Sequence, residues 1–133
     1  MHMKKKILSL IIYFTFSHLH SQEIKLIKIF EGLNKPWSLS FIDENNILVT
    51  EKPGNLLLVN LKNKSKSVIS HNLSVLEDGQ GGLLDVLYND GNVYVSYSEN
   101  RGNWQSSTSV ARGEFNNKNI KFKNIFRAEP PIN

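Results

Sequence analysis

Short runs of alternating apolar and polar residues, each stopped by Asn, Asp, Pro or Gly, dominate this chain, and no stretch carries the amphipathic period of a helix. Ile24–Phe30 alternates in this way, and after Gly32-Leu33-Asn34-Lys35-Pro36 come Trp37–Ile42, Asn46–Glu51 and Leu56–Leu61. Asp43-Glu44-Asn45-Asn46 and Lys52-Pro53-Gly54-Asn55 separate them. Both breaks have turn chemistry, since Asn and Gly tolerate positive φ and Pro presets the first turn position. Val68 and Ile69 add an outer strand, and the set repeats: Leu83–Tyr88, a turn at Asn89-Asp90-Gly91-Asn92, then Val93–Tyr97, Thr108–Phe115 and Ile120–Phe126. The pattern predicts an all-β, up-and-down meander recurring at roughly fifty residues.

About four short strands per repeat is how a four-stranded antiparallel blade of a β-propeller reads in sequence, although sandwiches and barrels share the alternation. The chain holds about two such blades, and two blades cannot close a ring. Phe126 to Asn133 reads as a loop without a closing strand. An incomplete propeller lacking its carboxy-terminal blades is therefore the expectation.

The amino terminus predicts export. Lys4, Lys5 and Lys6 form a positive region, and Ile7 to Phe16 form an apolar run too short to span a membrane. Residues 1–21 are read as a signal peptide, with cleavage after Ser21 favoured over Ser17, so that residues 22–133 form the mature domain in a periplasmic or secreted location with no membrane span. The formal net charge of +4 includes those three lysines, while all 12 acidic residues follow Ser21, so the mature chain is nearly neutral. The basic pI of 9.3 therefore implies no nucleic-acid partner. Lys62, Lys64 and Lys66 alternate with Asn63 and Ser65 and read as a solvated loop. Without cysteine, there is no disulfide framework and no thiolate metal site.

Glu77-Asp78-Gly79-Gln80-Gly81-Gly82-Leu83-Leu84-Asp85 sets a polar, glycine-rich turn between two strands. Together with Leu33-Asn34-Lys35-Pro36-Trp37-Ser38-Leu39, Ile47 to Gly54, Leu56 to Asn60, Val93 to Ser98, Thr108 to Arg112 and Arg127 to Pro130, in that order, it resembles the amino-terminal portion of the glucose/sorbosone dehydrogenases. That resemblance implies a six-bladed propeller of which this chain covers about two blades. It implies an exported aldose dehydrogenase that oxidises the anomeric carbon of a small-molecule sugar with pyrroloquinoline quinone (PQQ), with calcium bound as well. The glutamine of the family's Gly-Gln-Gly-Gly segment contacts the cofactor and corresponds to Gln80; flanking glycines let backbone approach a flat ligand, and an amide both donates and accepts. The family's catalytic histidine, its Arg and Lys partners and its calcium ligands fall after the matched region, so the resemblance places no catalytic residue and no metal ligand here. The isolated chain is accordingly expected to be inactive.

The remaining candidates carry bland readings beside the sharp ones. His2, His18 and His20 belong to the leader or its edge, and His71 reads as a surface histidine without a partner at metal-ligand spacing. Glu51 and Asp85 could form a carboxylate pair, against a capping role at strand ends. Trp37 and Trp104 could each stack on a sugar, although Trp37 after Pro36 reads as packing between blades and Trp104 as lying in a polar loop. Two other functions fit the same fold: a non-catalytic extracellular propeller binding carbohydrate or protein, and a lactone hydrolase with central acidic metal ligands. The Lys62–Ser74 loop and the short Asn89-Asp90-Gly91 turn depart from the family pattern and bear on substrate choice, because loops shape a propeller's rim.

Overall fold

A computed structural model describes residues 24–132, and the expected leader lies outside the described residues. Nine strands follow in order: β1 (Pro36–Phe41), β2 (Asn46–Glu51), β3 (Asn55–Asn60), β4 (Ser65–His71), β5 (Leu83–Asn89), β6 (Asn92–Asn100), β7 (Ser106–Glu114), β8 (Asn119–Ile120) and β9 (Lys123–Arg127). They form two meanders, β1-β2-β3-β4 and β5-β6-β7-β9, antiparallel throughout. The short β8 pairs in parallel with the end of β4 through Ser70 and His71, which makes the first sheet five-stranded. Among the described residues no helix is long and apolar enough to cross a membrane.

The hairpins form where the turn chemistry stands. Glu51 pairs with Asn55 around Gly54, whose φ of 116° suits a residue without Cβ. Asn89 pairs with Asn92 around Asp90 and Gly91, at φ 46° and 75°. This left-handed pair matches the twist of a two-residue hairpin.

Strand alternation then sorts side chains to two faces of the first sheet. Leu48, Leu56 and Ile69 turn toward the second sheet and meet Val86, Val93, Val95, Tyr97, Ala111, Ile120 and Phe122. Ile47, Val49, Leu57 and Val59 occupy the opposite face beneath Phe30, Leu33 and Leu61. Each fully buried aliphatic side chain contributes about 1.5–3 kcal/mol, so the shared core holds the sheets face to face. β1 and β5 lie side by side along one edge of the stack, where the Tyr88 N–H donates to Ser40 Oγ at 2.8 Å and the Ser38 hydroxyl bonds the Asp85 carboxylate. Two stacked antiparallel meanders with their first strands adjacent are consecutive blades of a β-propeller.

Three sequence expectations change. Ile24–Phe30 forms no strand, because it pairs with no ladder among the described residues; Ile24 and Leu26 are 88% and 92% exposed, and only Phe30 packs on the sheet. The stretch expected as one strand at Ile120–Phe126 divides into β8 and β9, which belong to different sheets. The outer strand expected at Val68 and Ile69 runs from Ser65 to His71, so the lysine patch is partly strand. Lys64 Nζ donates to the Ile29 carbonyl at 2.6 Å and Lys66 Nζ to that of Gly32, so these lysines tether the incoming chain.

Candidate functional site

The glycine-rich turn carries the chain from β4, the outer strand of the first meander, to β5, the first strand of the second. Backbone bonds fix its path on the second sheet: Leu76 N–H to the Ser98 carbonyl at 2.9 Å, Asn100 N–H to that of Ser74 at 2.9 Å, and Ser98 N–H to that of Gly82 at 2.8 Å. The Gly81 N–H closes a tight turn on the Asp78 carbonyl at 2.6 Å. From the first sheet, Leu83 N–H reaches the Lys52 carbonyl at 3.0 Å, Lys52 Nζ donates to the Gly79 carbonyl at 2.7 Å, and Lys35 pairs with Glu77 at 2.7 Å.

The path leaves little room for a side chain at two of its glycines, most strictly at Gly82. Gly82 has φ +148°, and a Cβ there would stand 2.5 Å from the Lys52 carbonyl oxygen; at Gly81 it would stand 2.7 Å from Ser98 Oγ. The turn is thus threaded between the β2–β3 hairpin and β6, and Gln80 is held out at its tip. Gln80 is exposed, and its side-chain amide forms no hydrogen bond among the described residues. Beside it the Lys52 ammonium sits 5.4 Å from the centroid of the half-exposed Trp37 ring. An unpaired amide, a cation and an aromatic face at one end of two blades suit one edge of a flat, anionic, hydrogen-bonding ligand.

The other candidates separate from this cluster. Glu51 is 3% exposed and accepts from the Asn34 N–H at 2.6 Å and Asn55 Nδ2 at 2.8 Å, while Asp85 pairs with Ser38. The two carboxylates therefore serve separate backbone and hydroxyl partners. His71 ends β4 and is half-buried, not a free surface residue: Nε2 lies 2.8 Å from the Gly54 carbonyl, Nδ1 accepts from Leu73 N–H at 3.3 Å, and the ring meets Phe122 edge-on. A carbonyl at one nitrogen and an N–H at the other fix the Nε2–H tautomer. Among the described residues no three His, Asp or Glu side chains gather to hold a metal ion.

A polar cluster on the second sheet escaped the sequence reading. Glu99 is held by Arg127 through two bonds of 2.8 and 2.5 Å, by Ser109 Oγ at 2.7 Å and by Asn124 Nδ2 at 3.1 Å. Burial opposes the charge on Glu99, but the bonds from Arg127 and Ser109 and the charges of Arg127 and Arg101 outweigh it and hold the carboxyl below its ordinary value. Burial pushes the Tyr97 phenol up, against its bond to Asn124 Oδ1 at 2.8 Å. Glu99 stands two residues after Tyr97 on the same face of β6, and its cross-strand neighbourhood of Ser107, Ser109 and Arg127 becomes visible only once register is known.

Residues 33–133 match the model of the family Glucose / Sorbosone dehydrogenase. A crystal structure of a glucose dehydrogenase superposes with a TM-score of 0.73 at 34% identity, covering 80% of this chain and 33% of the other. The aldose sugar dehydrogenase YliI of Escherichia coli is 29% identical over 111 residues, 77% of this chain and 30% of its own. The PQQ-bound aldose sugar dehydrogenase of Streptomyces coelicolor shares the fold, with a TM-score of 0.68 at 22% identity over 79% of this chain and 34% of the other. The chain spans about a third of the length of these relatives.

Proposed function

The chain belongs to the glucose/sorbosone dehydrogenase family, and on that footing we propose that it contributes two blades and one cofactor contact to an exported enzyme that oxidises the anomeric carbon of aldose sugars with PQQ. The observation that carries this reading is the Gln80 amide, presented unpaired among the described residues at the tip of a turn in which Gly82 is required by close contact with the Lys52 backbone. When bound, the quinone supplies a hydride acceptor that no amino-acid side chain offers. Gln80 binds and orients one edge of it by donating and accepting hydrogen bonds, and Lys52, through the Gly79 carbonyl, keeps the turn in place. Lys52 brings one cation to this end, which suits a carboxylate-bearing cofactor, while Lys35 is paired with Glu77.

Residues of further blades supply the base that takes the sugar's hydroxyl proton and the ligands for calcium. The open apolar side chains fit that arrangement: Trp37, Leu39 and Phe41 on β1 and Leu87 on β5 are exposed, on strands that neighbouring blades of a ring would cover. Lys4 to Lys6 followed by Ile7 to Phe16 supports export with removal of residues 1–21.

The test is aldose-dependent dye reduction by the protein that carries this segment at the family's full length, after addition of PQQ and calcium. Activity that requires PQQ and falls in Gln80→Ala supports the reading. Folded protein that neither binds PQQ nor oxidises aldoses would leave a non-catalytic propeller as the better account.

A further inference from the structure

Two stretches of chain outside the main strands flank the tip of the β6–β7 hairpin. Residues 74–76, which lead into the Gln80 turn, lie along β6: Val75 pairs with Glu99, and the Leu76 N–H bonds the Ser98 carbonyl at 2.9 Å. Residues 128–132, which follow β9, lie along β7: the Ala128 N–H bonds the Thr108 carbonyl at 2.9 Å, and Ser106 and Ile132 exchange two bonds of 2.8 and 2.9 Å. Ser98 and Thr108 are themselves ladder partners. The hairpin tip is therefore a spacer between the Gln80 turn and a second wall of chain. A cleft of about 320 Å³ separates Asp78 and Gly81 on one side from Ala128, Pro130 and Ile132 on the other.

Arg101 fastens that second wall. It stands just past the last ladder pair of the hairpin, Asn100 with Ser106, and its own N–H closes the connection on the Gln105 carbonyl at 2.9 Å. Its side chain, 22% exposed, reaches Ser107 Oγ on β7 at 3.0 Å and the Glu129 carboxylate at 2.8 Å. A planar guanidinium holds two partners in fixed directions, which a lysine ammonium does not. Glu129 is the only side chain of residues 128–132 able to form a hydrogen bond, so among the described residues this ion pair is the wall's one polar side-chain tie. The same connection holds Asn103 and the exposed Trp104 in left-handed backbone, at φ 50° and 62°. Two such residues in succession are disfavoured and persist where surrounding structure enforces them.

We propose that Arg101 is a positioning residue for the Gln80 site. By holding Ser107 and Glu129 together it fixes residues 128–132 relative to the Gln80 turn, and so fixes the shape of the end at which that turn presents its amide. Arg101 acts through Glu129 and touches no ligand itself. That the ligand is PQQ rests on the proposed function, whereas the fastening of the wall does not.

The experiment compares the full-length protein with Arg101→Ala, with Arg101→Lys and with the charge swap Arg101→Glu, Glu129→Arg. Without PQQ, amide hydrogen exchange in the peptide covering residues 128–132 is expected to quicken several-fold in Arg101→Ala. The melting temperature should stay within about 2 °C, because the pair is partly exposed. With PQQ and calcium added, kcat/KM for aldose oxidation is expected to fall roughly tenfold in Arg101→Ala and to stay low in Arg101→Lys. The charge swap should recover most of it, since the Ser107 hydroxyl donates to a carboxylate as well as it accepts from a guanidinium. Unaltered exchange in that peptide, or kcat/KM equal to the parent's in Arg101→Ala, overturns the proposal. A loss of kcat/KM that tracks a lowered melting temperature and is not recovered by the swap assigns Arg101 a purely structural part and overturns it too. Faster exchange in a folded protein that neither binds PQQ nor oxidises aldoses would sink the quinone reading while keeping the fastened wall.

Discussion

The Thr50 hydroxyl on β2 donates to the Leu84 carbonyl at the start of β5, with oxygens 2.5 Å apart, and so ties one blade to the next. Thr50 is fully buried and also accepts the Ser38 N–H from β1 at 3.2 Å, so one hydroxyl links three strands. Thr50→Val keeps the volume but leaves the Leu84 carbonyl and the Ser38 N–H without that partner. A buried group deprived of its bond costs about 1–3 kcal/mol. Chemical denaturation is expected to show a loss in this range with an unchanged slope, and a variant as stable as the parent would show that water or backbone replaces the hydroxyl.

Gly82→Ala is expected to be the most damaging single substitution in the turn. Its Cβ would meet the Lys52 carbonyl oxygen at 2.5 Å, at a φ of +148° that L-residues rarely adopt, and the Leu83 N–H bond to the same carbonyl would be pushed apart. Strain of this kind costs about 3 kcal/mol. Gly79→Ala is the control, because open space surrounds that Cβ and only its φ of 50° is unfavourable. Melting temperatures should fall on the order of 10 °C for Gly82→Ala and by much less for Gly79→Ala; equal losses would mean that backbone conformation, not the contact with Lys52, makes glycine necessary.

The strands were legible because Asn, Asp, Gly and Pro mark their ends, and the hairpins at Gly54 and at Asp90-Gly91 form where that chemistry stands. Alternation misled at Ile24–Phe30, since a period of two shows only that a segment could pair, and the ladder that would accept it is a tertiary fact. For the same reason Ile120 and Phe126 fall in different sheets although one continuous stretch of mixed apolar and polar residues joins them. The Gln80 turn was legible as a motif, but the contacts behind it, from Lys52 on one blade and Ser98 on the other, join residues distant in sequence. The Glu99 cluster was hidden because its partners meet only in the register of β6, β7 and β9.

The Glu99 cluster predicts a pH dependence of stability. A carboxyl held below its ordinary value of 4.5 in the folded state contributes stability that is present above that value and lost as the pH falls through the lowered one. Glu99→Gln removes the charge, and with it the charge-assisted bonds to Arg127, whose guanidinium the same carboxylate holds protonated above its ordinary value. The variant is expected to melt on the order of 5 °C below the parent at pH 7. The gap should narrow as the pH is lowered below 4.5. A gap that stays constant down to pH 3 would assign the loss to packing in place of charge.

Gln80→Ala separates cofactor binding from stability. The side chain is exposed and unpaired among the described residues, so its removal should leave the stability within about 0.5 kcal/mol of the parent. A lost bond to a bound, desolvated ligand costs about 1–3 kcal/mol, or roughly tenfold to a hundredfold in affinity. PQQ titration of the full-length protein, followed by the cofactor's absorbance, should therefore show weaker binding with no change in unfolding. Gln80→Glu refines the test, because it keeps the size, removes the donor and brings a negative charge toward a cofactor rich in carboxylates, so it should bind more weakly than Gln80→Ala. If both variants bind PQQ as the parent does, the glutamine is only the tip of a turn and the cofactor contact lies elsewhere in the ring.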